Sequence, residues 1–136
     1  MPIYLTAYGA TALVFLVLDA IWLTIMVDRL YRPGIGHLML ERPNLAAAVP
    51  FYFLYVIGVV VFAVLPGLRA QDWTTSLWMG ALLGLVAYGT YDLTNLATLR
   101  GWSVSVSLAD MAWGSVLTAA AATGGMLAAS WMSRAA

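Results

Sequence analysis

"YGTYDLTNLATLRGW", residues 88–102, opens as part of a long apolar helix and closes on a charged turn. Asp92 and Asn95 stand there among Leu93, Leu96 and Leu99, with no Lys or Arg before Arg100. In a water-soluble helix such residues mark the wet face. In a bilayer they mark a polar site, because a charged residue at a helix centre costs ~2.5–3.5 kcal/mol on insertion scales. The rest of the chain decides between the two.

The 136 residues are 63% hydrophobic and 9% charged, with a formal net charge of zero. Soluble domains carry about 25% charged residues, so this chain lacks the charge to coat a water-facing surface. It reads as a single transmembrane domain over residues 1–136. The same shortage leaves no basic face for nucleic acid, and the expected surroundings are membrane lipids. Cysteine is absent, which excludes disulfides, thiolate metal sites and a cysteine nucleophile. No Lys or Arg precedes the first apolar stretch, which is longer than a signal-peptide core, so a retained span is expected.

A helix crosses the hydrocarbon in about 20 residues. Four stretches qualify, at about 3–27, 45–65, 75–99 and 103–131. Asp28-Arg29 and the turn-rich "YRPGIGH" end the first, Pro66-Gly67 the second and Arg100-Gly101 the third. These runs are continuous and far longer than barrel strands. The expected fold is all-α, a polytopic four-transmembrane-helix bundle. Arg29, Arg32, Arg42 and Arg100 fall on one side and Arg69 and Arg134 on the other. The positive-inside rule then puts the first and third connections in the cytoplasm and both termini outside. Trp73, Trp78, Trp102, Trp131 and Tyr31 fall near span ends, as interfacial aromatics do.

Asp19, Asp92 and Asp110 all lie inside spans. They stand eight, seven and seven residues from the expected cytoplasmic ends. At ~1.5 Å per residue, each carboxyl group sits roughly 10 to 12 Å below the same membrane face. No basic side chain shares that depth, so the group needs protons, hydrogen-bond donors, water or a metal. Tyr88 and Asp92, Tyr91 and Asn95, and Asp92 and Asn95 have helical-face spacings of four, four and three. Thr90, Thr94 and Thr98 add hydroxyls. The D-x-x-W pairs Asp19–Trp22 and Asp110–Trp113 put two indoles near two acids, either hydrogen-bonding or packing. Buried polar side chains can also serve only as interhelical glue, but three costly carboxyls at one level exceed what glue requires.

Small residues form a ridge at Gly80, Gly84 and Tyr88 in span three, and another at Gly114, Thr118 and Ala122 in span four. Close packing within one chain is the favoured explanation, and a homodimer is the alternative use. His37 reads as a solvated loop residue, with a proton relay as the lesser option.

Together "LDAIWL" (18–23), "RPNLAAAVPFYFLYVIG" (42–58), "YGTYDLTNLATLRGW" (88–102) and "ADMAWGS" (109–115) resemble a family of small four-span bacterial membrane proteins. That family is catalogued as domain of unknown function 2177. The resemblance extends over nearly the whole chain. It implies a bacterial inner-membrane protein and supplies no activity or site residue.

No aspartate-rich prenyltransferase pair, extended D-x-x-D-G pattern, H-E-x-x-H, G-x-S-x-G or Walker loop is present, and no cofactor is implied. Three function classes stay open. The leading one binds or modifies a lipophilic ligand, lipid or isoprenoid-like. In it Asp92, Asp19 and Asp110 act as acid, base or ligand contacts, while Asn95, Tyr91, Tyr88, Trp22 and Trp113 shape the site. The alternatives are a proton- or ion-coupled small carrier and an accessory or scaffold subunit. Three aspartates and Asn95 holding a divalent metal is a minor variant of the first.

Overall fold

The computed structural model describes residues 2–135. Four helical rods fill it, and no strand occurs among the described residues. Rod α1 is Pro2–Leu38, α2 is Leu45–Ala70, α3 is Trp73–Thr98 and α4 is Val104–Ala135. The all-α expectation holds. Three rods are long and apolar enough to cross a membrane. The remaining rod, α3, has the length at 26 residues but falls outside that set because it is more polar, carrying Asp92, Asn95 and a run of threonines. Its polarity is tolerable because it packs along α4 and the second half of α2.

Two boundaries differ from the sequence reading. The "YRPGIGH" stretch does not leave the helix. A π turn at Val27–Tyr31 leads into a helical turn at Arg32–Ile35 and a 3-10 turn at Gly36–Leu38. Pro66 likewise does not end α2, because a π turn at Val60–Val64 precedes a further helical turn at Leu65–Ala70. Proline removes one backbone donor and crowds the carbonyl four residues earlier. The added residue of a π turn opens the spiral at that point and lets the rod continue. Tyr31 is the last residue of the π turn in α1.

The packing is inside-out relative to a soluble protein. Large apolar side chains point outward, with Leu5 73% and Leu54 66% exposed, whereas Thr11, Ser76, Asp92, Ser107 and Thr118 are fully buried. Lipid tails are as apolar as leucine, so close backbone approach and hydrogen bonds hold the rods together. Rod α4 is central, packed antiparallel along α3 and along α1. Both expected ridges meet inside the single chain. A Cβ at Gly80 would lie 2.9 Å from Ala122 Cβ and from Thr118 O, one at Gly84 would strike the Gly114 carbonyl, and one at Gly114 the Tyr88 ring. Ser115 Oγ donates to Ala81 O at 2.8 Å across the same seam.

The first and third connections share one end of the bundle. A Cβ on Gly34 would lie 3.2 Å from Ser103 Cβ, and Gly101, at φ +75°, backs onto His37. His37 is exposed there, though it sits in the 3-10 turn that ends the first rod and not in the loop expected from sequence.

At the other end Asp72 caps α3, accepting from Thr74 Oγ1 at 2.7 Å and from Thr74 N at 3.0 Å. These bonds, the Thr74 side chain's first, hold the Asp72 carboxyl below its ordinary value. A depressed folded-state value means stability that is present above the ordinary carboxylate range and lost as pH falls through it. Thermal unfolding of the wild type in detergent is therefore expected to weaken below about pH 4, with Asp72→Asn showing less of that acid sensitivity.

Candidate functional site

The first half of α2, Leu45–Val59, stands away from α3, whereas its second half packs on it. The gap leaves a chamber of about 480 Å³. Rod α1 contributes Asp19, Leu23 and Tyr31 to its wall, and α2 contributes Phe51, Tyr52 and Tyr55. Rod α3 adds Ala87, Tyr88 and Tyr91, and α4 adds Asp110. Leu23, Phe51 and Tyr91 on its wall are 37%, 52% and 53% exposed, so the chamber is open on the flank of the bundle beside these side chains.

Two of the three aspartates reach this chamber. Asp19, 8% exposed, accepts from Tyr52 OH at 3.0 Å and from Trp113 Nε1 at 3.3 Å. Asp110, 7% exposed, accepts from Tyr31 OH at 2.6 Å, and that hydroxyl accepts from Trp22 Nε1 at 2.9 Å. The indoles of Trp22 and Trp113 stack at 4.5 Å with 4° between planes. Each D-x-x-W pair is therefore crossed rather than local. The indole on α4 serves the acid on α1, and the indole on α1 serves the acid on α4 through Tyr31.

Asp92 behaves differently. It is fully buried, and neither carboxyl oxygen has a hydrogen-bond partner among the described residues. It lies beside Asp110, close enough for the two carboxyls to interact directly. It is absent from the chamber wall, so it can meet a chamber ligand only through Asp110.

The remaining candidates divide. Tyr88 and Tyr91 line the chamber. Tyr88 sets its ring edge-on to Tyr55 at 6.2 Å, and Tyr91 does so to Trp102 at 5.4 Å. Trp22 and Trp113 stand behind the wall and hold its acids. Asn95 does not line the chamber. The threonines offer nothing to the acids, because Thr90, Thr94 and Thr98 return their hydroxyls to carbonyls of their own helix. Among the described residues no three His, Cys, Asp or Glu side chains gather in one place. The three-aspartate ligand set is thus not assembled.

The sequence reading missed Tyr31, Tyr52 and Tyr55. A signal was available in Tyr52 and Tyr55, three apart in an apolar span and so on one face. Tyr55 is buried and its hydroxyl pairs with Thr118 Oγ1 at 2.9 Å.

Comparisons with curated proteins and with solved structures find no match to the chain. A family model does match, over residues 4–127, nearly the full length already bounded by the four rods and the buried acids. By that match the chain belongs to the family described as predicted membrane protein, DUF2177.

Proposed function

We propose that the protein binds a lipophilic ligand, lipid or isoprenoid-like, with its polar end at Asp19 and Asp110 and its apolar body among the rings. One observation carries this reading. A chamber of about 480 Å³ has a wall that is aromatic and aliphatic except for two buried carboxyls. That is the usual make-up of a small-molecule site, mostly apolar with a few placed polar groups. A sideways opening suits a ligand dissolved in the bilayer. The arrangement supports binding ahead of turnover, and an acid–base role for Asp110 would build upon it.

The arginine bias and the family resemblance favour a bacterial inner membrane with both termini outside and the chamber in the cytoplasmic half. A proton-coupled carrier is the second reading, favoured by the Asp92–Asp110 pair because adjoining intramembrane acids commonly mark proton paths. Its signature is pH-dependent uptake into liposomes.

The test of binding is lipid mass spectrometry on protein purified in mild detergent. Wild type is expected to carry one enriched lipophilic species, reduced several-fold in Asp19→Asn at unchanged folded yield. No enrichment over bulk lipid in the wild type sinks the proposal, and equal loss of ligand and of folded protein assigns Asp19 to structure.

A further inference from the structure

We propose that the chamber selects a protonated long-chain amine, the charged –NH₃⁺ seated at Asp110 and the chain lying among the rings. This rests on the binding reading above and names the chemistry of its ligand.

Acceptors exceed donors at this site. Asp110 is more than nine-tenths buried and lines the chamber, yet the one bond it accepts among the described residues is from Tyr31 OH to Oδ1. Asp92, fully buried beside it, has no donor on either oxygen. Apart from the contact between the two acids themselves, Tyr31 OH is the one side-chain donor that reaches this pair among the described residues. Buried acceptors short of donors are costly, and an ammonium in the chamber supplies N–H groups to Asp110, the member of the pair that faces it.

The wall excludes other head groups. No Lys, Arg or His lines it, so a phosphate or carboxylate head would meet two acids and no cation. Six aromatic side chains do line it, among them Tyr31, Tyr52 and Tyr88, and ring faces attract a cation strongly once water is removed. A quaternary ammonium satisfies the rings but cannot donate to the carboxyls. A primary ammonium does both, being a compact charge with three donors.

The experiment holds the chain length fixed and varies the head. Wild-type protein in phosphatidylcholine nanodiscs is titrated with dodecylamine, dodecyltrimethylammonium, dodecanol and dodecanoate. The readout is the saturable change in tryptophan fluorescence, to which the Trp22–Trp113 stack beside the acids contributes. Dodecylamine is expected to bind at least tenfold more tightly than dodecanol and more tightly than the trimethyl compound, with no saturable response to dodecanoate. Asp110→Asn keeps every tryptophan and is expected to lose that preference at least tenfold. If the alcohol, the dodecanoate or the quaternary salt binds as tightly as the amine, the amine assignment falls while lipophilic binding stands. If none of the four saturates, both fall. Should Asp110→Asn misfold by size exclusion, the wild-type series decides by itself.

Discussion

Gly84→Leu is expected to lower the yield of folded bundle several-fold. A Cβ at this position would strike the Gly114 carbonyl and come within 2.8 Å of Thr118 Cβ. The first of these is backbone, which cannot swing aside as a flexible side chain can. Overpacking a tight interior costs roughly 1–3 kcal/mol, and more where backbones must part. Native stabilities are about 5–15 kcal/mol. Parting α3 from α4 also strains the Ser115–Ala81 bond and the wall at Tyr88. Monodisperse yield by size exclusion reads the effect, with Gly9→Leu as control because nothing lies within 4 Å of a Cβ there. Equal yields from the two variants would show that the seam is loose.

Asp92→Asn is expected to act in the opposite direction and raise stability. Its carboxyl is fully buried, lacks any donor and faces a second acid. An amide removes the acid–acid conflict and supplies N–H groups that Asp110 can accept. Satisfying a buried polar group of this kind returns about 1–3 kcal/mol, visible as a higher unfolding temperature in detergent. The same variant is expected to bind ligand less well, because its amide takes the Asp110 acceptor that an incoming ammonium needs. Stability gained at the expense of function is the common pattern where a site is held unsatisfied in the empty protein. A fall in unfolding temperature would instead make Asp92 a structural strut.

Much of this architecture was legible in the chain. Unbroken apolar length identified the rods, and small residues four apart identified the close-packing ridges of α3 and α4, though not that the two ridges meet each other. Prolines misled at Pro33 and Pro66, since a proline that ends a helix and one that a π turn absorbs look alike in sequence. The acids were legible as a group, since charge inside a span is rare. Their individual roles were not. Rotation about each rod axis decides which acid meets the chamber, and a chain apolar on both its lipid and its packed faces carries little periodicity to reveal that rotation. Tyr31, Tyr52 and Tyr55 escaped for a related reason. Aromatics in a membrane chain are read as interface markers, and only coordinates show hydroxyls turned inward.

The mouth between Phe51 and Tyr91 has a consequence for dosage. On the binding proposed above, a lipophilic guest would arrive there in the plane of the bilayer, and occupancy would follow its mole fraction among lipids rather than its level in the surrounding water. A compound too scarce to detect in buffer would then saturate the proposed site once the membrane had concentrated it.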